Sequence, residues 1–490
     1  MSGYILGIDQ STQGTKALLF DEYGALAARS DLPHRQIVND LGWVEHDPEE
    51  IYRNVIQSIK NVVEKAGIDK ESIHALGISN QRETSLAWDP EGNCICNAIV
   101  WQCARAKELC ENLSIHSESI RTATGLPLSP YFPAGKLAWI LENVPGAAKK
   151  ARDGRLRMGT MDTYLVYRLT HGRNFRTDFS NASRTQLFNI HDLCWDRQIC
   201  QLFGIPAGVL ARVTDSNGFF GTTDLEGYLK KEIPIHAVLG DSHGALFGHG
   251  CFSPGMVKST YGTGSSVMMN IGSKSVISKH GLATSVAWGM DGEIRYVLEG
   301  NINYTGAVIS WLKDDVGLIS SAPETQALAE QANPRDRTYL VPAFTGLGAP
   351  YWDSQAQGIL YGISRTTGKR EIVRAALDCI AYQITDILNA MCEDAGIGIE
   401  QLQVDGGATK NRYLMQAQAN IARIPVAVPP AEELSGMGAA YAAGLGCGFY
   451  SKEMLFGKKD AVLYTPDMPQ YEAAEKYANW KIAVSKALNR

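Results

Sequence analysis

The chain is 490 residues long, and because single hydrophobic cores rarely grow past roughly 250 to 300 residues it should fold as two or more domains. Hydrophobic residues make up 45% and charged residues 20%, a balance that excludes a disordered chain. A formal net charge of −6 gives no basic surface of the kind nucleic acid requires, so no nucleic-acid partner is expected.

The opening residues Met-Ser-Gly-Tyr-Ile-Leu-Gly-Ile-Asp reach an acid after too few apolar residues for a signal peptide. Apolar runs at 4–8 and 17–20 flank a stretch of Ser, Thr, Gln and Gly, which is the pattern of a β-hairpin. Asp9 closes the first run. A turn so poor in side-chain bulk lets backbone N–H groups approach an anion, and a carboxylate at its mouth can hold a divalent cation that bridges to it. Gly14-Thr15-Lys16 lacks the leading glycine and the trailing hydroxyl of a P-loop. For this segment alone, an ordinary hairpin is the simplest account.

Helical spacing follows over 50–65, then an apolar strand over 74–79 that ends at Asn80-Gln81-Arg82-Glu83-Thr84. The basic run from Lys149 to Arg157 reads as a solvated helix end and loop. Strand 235–240 ends at Asp241, and 256–270 repeats the strand–turn–strand pattern around Gly262-Thr263-Gly264-Ser265-Ser266. After a helix over 371–393, a third turn, Asp405-Gly406-Gly407-Ala408-Thr409, follows strand 402–405 and leads into a helix over 412–422. The small-residue segment 436–448 reads as a helix packed tightly against a sheet. These alternations predict an α/β fold with domains 1–247 and 248–490, meeting near Ser253-Pro254-Gly255. Three bare turns spread over two halves suit a phosphate chain held between two similar lobes. The ten cysteines show no paired CxxC spacing, which fits reduced thiols and a cytoplasmic localisation. No uncharged apolar stretch reaches the ~20 residues of a membrane span, so no membrane partner is expected.

Read from residues alone, Asp241 is a helix N-cap, Arg82 and Glu83 are a surface ion pair, and Trp101 and Tyr131 belong to a core. Longer motifs change that reading. Tyr131-Phe132-Pro133-Ala134-Gly135-Lys136-Leu137-Ala138-Trp139-Ile140 and the segment from Gly358-Ile359-Leu360-Tyr361-Gly362 through Glu371 to Asp378 resemble the FGGY family of carbohydrate kinases. GWVEHDP (42–48), SNQRET (79–84), NAIVWQC (97–103), NASRTQLFNIH (181–191) and VPAFTGLGAPYWD (341–353) resemble its glycerol kinase branch, and the likeness runs from about 4 to about 485. The resemblance implies two ribonuclease-H-like lobes of the actin and hexokinase type, with ATP and substrate in the cleft between them. It implies that Asp9 organises the Mg²⁺ of MgATP and that Ser11, Thr12 and Gln13 line the phosphates from one lobe. Gly262, Thr263 and Gly264 would line them from the other. Gly306, Gly406, Gly407, Ala408 and Asn411 would hold the adenosine end, with Ser310 standing where that branch has a glutamine. Arg82 and Glu83 would bind adjacent hydroxyls of the acceptor, Trp101 and Tyr131 would complete the pocket, and Asp241 would be the base for in-line transfer.

Two further positions depart from the branch: Ser242 replaces an expected glutamine and Ser266 an expected phenylalanine. Both remove bulk, which predicts an enlarged pocket suited to a four- or five-carbon polyol or ketose. His243, beside the base, reads as structural. Residues 222–235 lack the Gly- and Arg-containing loop by which some branch members bind fructose 1,6-bisphosphate, so that control is not expected. The expected protein is an ATP- and Mg²⁺-dependent kinase of a small polyol or related sugar, assembled as a homodimer or higher homo-oligomer. Its rivals are a glycerol or pentulose kinase and, from another class, an actin-like ATPase switch.

Overall fold

The computed structural model describes residues 3–457 and 461–488. Its first large sheet has six strands in the order Gly221–Thr223, Ile233–Gly240, Ile73–Asn80, Tyr4–Gln10, Gly14–Phe20 and Leu26–Pro33. Tyr4–Gln10 forms the expected hairpin with Gly14–Phe20 and runs parallel to Ile73–Asn80. Leu6 and Ile8 enter the core under helix Pro48–Ala66, whereas Ile5 enters a second core on the opposite face. Burial on both faces explains why this strand is a continuous apolar run rather than an alternating one.

The second sheet has seven strands, ordered Ala283–Met290, Glu293–Ile302, Ser265–Gly272, Val257–Tyr261, Leu402–Asp405, Val426–Val428 and Val462–Tyr464. Here again a hairpin, Val257–Tyr261 with Ser265–Gly272, pairs in parallel with a later strand, Leu402–Asp405. The molecule is thus a duplicated α/β structure of the actin and hexokinase type. A five-stranded sheet, Ile37–Val38, Val44–His46, Ala98–Ile99, Ser85–Trp88 and Arg157–Thr160, enlarges the first lobe.

Helix ends follow local chemistry. Pro48–Ala66 extends the predicted 50–65, because the Asp47 carboxylate accepts the Glu49 N–H at one end and Gly67, at φ 65°, turns the chain at the other. The predicted 371–393 is Lys369–Ala395, and 412–422 is found as Arg412–Ala422. The basic run holds helix Ala147–Arg152 and a loop, with a strand starting at Arg157.

The predicted 436–448 is the helix Leu434–Gly446. It lies against the first lobe's sheet, and also against helix Asp241–Gly248, a contact that the pattern of small residues did not reveal. A Cβ on Gly77 would stand 2.2 Å from the Ala439 carbonyl oxygen, and one on Gly438 would stand 1.9 Å from that of Gly244. Backbone touches backbone there. Two helices, one following strand Ile233–Gly240 and the other strand Val426–Val428, therefore join the lobes almost without intervening side chains.

Candidate active site

Arg82 and Glu83 follow the end of strand Ile73–Asn80, and both are buried. They are not paired with each other. The Arg82 Nη1 and Nη2 groups donate to Glu299 Oε2 and Oε1 at 2.9 and 2.8 Å, a bidentate pair, and Nε lies 3.1 Å from Asp241 Oδ1. Glu83 Oε1 accepts from Arg184 Nε at 2.6 Å, while Arg184 Nη1 lies 2.9 Å from Glu299 Oε2. Acid and base alternate from Glu83 through Arg184, Glu299 and Arg82 to Asp241. Burial pushes the Glu299 carboxyl up, but Arg184 and Arg82 outweigh it and hold the group well below the usual carboxylate range. Glu83 adopts φ 61°, a left-handed conformation that costs a non-glycine residue about 1 kcal/mol or more.

Asp241 is the first residue of helix Asp241–Gly248, and the N-cap is Gly240, so the N-cap reading is corrected. A side chain at 240 would collide with Arg82, whose Cγ lies 2.7 Å from the position of a Cβ. Asp241 Oδ1 accepts the Ser242 N–H at 2.6 Å. Its side chain is 35% exposed, against 6% for Arg82 and 1% for Glu299, so it is the open end of a buried charge network. His243 is buried and bonded to Ser285 Oγ at 3.3 Å, and burial, then Arg82, holds it well below its ordinary pKa. Ser266 Oγ donates to Glu299 Oε1 at 3.2 Å. Its hydroxyl proton is therefore engaged within the protein.

Trp101 and Tyr131 meet with ring centroids 5.5 Å apart. The indole Nε1–H donates to Thr12 Oγ1 at 2.9 Å, tying this aromatic pair to the opening turn. Tyr131 is fixed from behind by Lys136, whose Nζ donates to the Pro130 carbonyl at 2.8 Å and also to that of Tyr131. Burial lowers the Lys136 pKa to about 7.

In the opening turn, both the N–H and the hydroxyl of Ser11 donate to the Gly14 carbonyl, at 2.9 and 3.0 Å, and Gln13 is exposed. In the second turn Gly262 and Thr263 are exposed, and their carbonyls accept the N–H groups of Gly306 and Ala307 at 2.9 and 3.0 Å. A Cβ on Gly264 would stand 2.3 Å from the Ile302 carbonyl oxygen, so only glycine fits. The third turn adjoins the second: Thr260 pairs with Asp405, and Gly406, at φ 95°, would bring a Cβ to 2.3 Å from the Tyr261 carbonyl oxygen. Around Gly407 there is open space. Ser310 ends the short helix Gly306–Ser310 and is exposed. Asn411 caps helix Arg412–Ala422 through its side-chain oxygen, and its amide donates to Thr325 Oγ1 at 3.0 Å. Both ends of that carboxamide already serve the fold.

Asp9 is buried at the end of the first strand, and burial pushes its carboxyl up to about 6. Lys16 Nζ lies 3.6 Å from it, with a second partner, Glu433 Oε2, at 2.6 Å. A buried carboxylate that is costly to ionise and already draws a cationic side chain fits a hard divalent cation.

The structure thus gathers Arg82, Glu83, Asp241, Ser242 and Ser266 into one cluster, with Trp101 and Tyr131 in a second group tied to Thr12. Gly262, Thr263, Gly264, Gly306 and Gly406 form a third. Arg184, Glu299 and Lys16 were missed from sequence. Glu299 carries a signal: it is a single acid directly after the apolar run Tyr296-Val297-Leu298.

Duplicated lobes of this type, each with a bare glycine-rich or hydroxyl-rich turn after a core strand, are the architecture of an ATP-using phosphotransferase. The chain belongs to the FGGY family of carbohydrate kinases: the models of that family's N-terminal and C-terminal domains match residues 4–248 and 257–447. It is 45% identical to a glycerol kinase of Caldanaerobacter subterraneus subsp. tengcongensis, covering 100% of this chain and 99% of the relative. It is 46% identical to glycerol kinase 2 of Thermotoga maritima, covering 99% of each. Among solved structures it superposes with TM-score 0.94 on Plasmodium falciparum glycerol kinase with ADP, at 34% identity over 100% of this chain and 99% of that one. A ligand-bound xylulose kinase from Lactobacillus acidophilus, at 22% identity over 99% and 97% of the chains, shares the fold with TM-score 0.88. The protein is therefore a carbohydrate or polyol kinase that uses ATP and phosphorylates an alcohol acceptor, and the actin-like ATPase switch is set aside. Among the described residues no helix is long and apolar enough to cross a membrane.

Proposed function

We propose that this kinase transfers the γ-phosphoryl group of MgATP to a terminal hydroxyl of a small polyol or related sugar, in a pocket larger than glycerol fills. The observation that carries the reading is the position of Asp241: a partly open carboxylate at the end of a buried charge chain, with Arg82 at 3.1 Å. Asp241 accepts the proton of the attacking hydroxyl, Arg82 and Glu83 fix neighbouring hydroxyls, and Trp101 with Tyr131 supplies an apolar wall. Ser11, Thr12, Gln13, Gly262, Thr263 and Gly264 line the phosphates. Gly306, Ser310, Gly406, Gly407, Ala408 and Asn411 face the adenosine end. Asp9 holds Mg²⁺, which when bound neutralises charge on the phosphate oxygens.

The enlarged pocket rests on Ser242 and Ser266, two small side chains beside the base and Glu299. Glycerol as the preferred acceptor is the second reading, favoured by relatives named glycerol kinase at about 45% identity. ADP release measured with glycerol, erythritol, xylitol, ribitol and the pentuloses tests the two against each other. A longer acceptor giving the highest kcat/KM supports the larger pocket, and glycerol exceeding all of them removes it.

The same reading carries a lobe division between 247 and 248, a homodimer or higher homo-oligomer, and a cytoplasmic setting in which the free cysteines stay reduced. Light scattering on the purified chain tests the assembly.

A further inference from the structure

Glu299 comes from strand Glu293–Ile302 of the second sheet, yet both of its carboxylate oxygens are spent on the arginine that the first lobe presents to the acceptor. Oε1 accepts from Arg82 Nη2 and from Ser266 Oγ, and Oε2 accepts from Arg82 Nη1 and lies 2.9 Å from Arg184 Nη1. Arg184 in turn holds Glu83. Both acceptor-facing residues are therefore oriented through one buried acid on the opposite side of the cleft.

We propose that Glu299 is a positioning residue that sets the Arg82 fork and, through Arg184, the Glu83 carboxylate, so that the acceptor site is assembled only when the second lobe is in place. Ser266 belongs to this device as the hydroxyl that fixes Glu299 Oε1. The argument is one of geometry and charge. A guanidinium has five N–H donors in a rigid plane, so binding two of them to one carboxylate fixes where the others point. Without Glu299, Arg82 and Arg184 are two buried cations left with one near acid each, Asp241 and Glu83, and the Arg82 fork turns toward Asp241. The arginine, whose Nε already lies 3.1 Å from Asp241 Oδ1, then turns its Nη groups to the base as well instead of reaching the acceptor. Glutamine at 299 keeps the volume but removes the charge and one of the two acceptor oxygens, which breaks the fork.

This inference rests on the reading of Arg82 as an acceptor ligand, and the test separates the two. In the full-length protein, acceptor affinity is measured by calorimetric titration, with kcat and KM for acceptor and for ATP, in Glu299→Gln, Ser266→Ala and Arg82→Ala. Glu299→Gln should weaken the preferred acceptor roughly ten- to a hundredfold and lower kcat, with KM for ATP changed less than threefold. Ser266→Ala, which removes only the prop, should shift acceptor affinity about two- to fivefold in the same direction and covers the case in which Glu299→Gln does not fold. If both variants bind acceptor as the wild type does while Arg82→Ala does not, Glu299 has no positioning role and the acceptor reading stands. If Arg82→Ala also binds normally, that reading falls as well. Equal losses toward ATP and acceptor would mean general disruption and overturn the inference.

Discussion

Replacing Gly438 by alanine adds one methyl group at the contact between two helices, and it should disturb both stability and turnover. The new Cβ would lie 1.9 Å from the Gly244 carbonyl oxygen and 2.8 Å from its carbonyl carbon. Carbon–oxygen contacts settle near 3.3 Å, so the two helices must part by about 1.4 Å. The obstruction is backbone, which cannot rotate aside as a side chain would. Overpacking of this kind costs about 1 to 3 kcal/mol, and the upper end applies here. Alanine recovers about 1 kcal/mol of helix propensity relative to glycine, leaving a net loss of about 2 kcal/mol. Helix Asp241–Gly248 carries Asp241 on its first turn, and displacement of a reacting group by 1 Å can cost about a hundredfold. Denaturant unfolding and steady-state kinetics should therefore show lower stability and kcat reduced by roughly ten- to a hundredfold. Gly208→Ala is the control, since nothing lies within 4 Å of its added Cβ; it should be neutral in both assays. A Gly438→Ala protein as stable and active as the wild type would refute the account of the lobe contact.

Asp241→Asn should lower kcat by at least about a hundredfold with little change in nucleotide affinity; a mutant that keeps most of its turnover removes Asp241 from the chemistry. Asp9 has a folded pKa of about 6 against the ordinary 3.8, so its stabilising contribution is full below pH 3.8 and lost as pH rises through 6. Ionised above that point, it costs the fold about 3 kcal/mol as an order of magnitude. Asp9→Asn should thus raise the thermal midpoint at pH 8, progressively less toward pH 5, while abolishing productive MgATP use; a midpoint shift independent of pH would contradict this. Ser266→Phe with Ser242→Gln should improve glycerol relative to longer acceptors by about ten- to two-hundredfold in kcat/KM, less any loss from unpropping Glu299. No change in the ratio would detach these serines from selectivity.

What could be read from the sequence was local. The strands that reach Asp9 and Gly240 are apolar runs, stopped by a small polar turn and by a helix start, Leu402–Asp405 is stopped by a glycine turn, and Arg412–Ala422 has its own cap at Asn411; such signals lie within a few neighbouring residues. Glu299, Arg184 and Arg82 are separated by more than a hundred residues of chain, and their mutual pairing leaves no trace in spacing. Arg82 and Glu83 show the same limit, because adjacent opposite charges suggested a pair that the fold divides between two other partners. The bare glycines of Leu434–Gly446 announced a close approach but not which backbone approaches.

The hydrogen bond from the Trp101 indole to Thr12 joins the residue proposed as the acceptor wall to the turn proposed to line the phosphates. In the proposed assignment, whatever positions the indole also stiffens the phosphate turn, so the two substrates bind with a shared coupling free energy. Reciprocity then holds: the factor by which the acceptor tightens MgATP equals the factor by which MgATP tightens the acceptor. On that assignment an acceptor that orders the indole also orders the turn, which favours transfer to the acceptor over transfer to water.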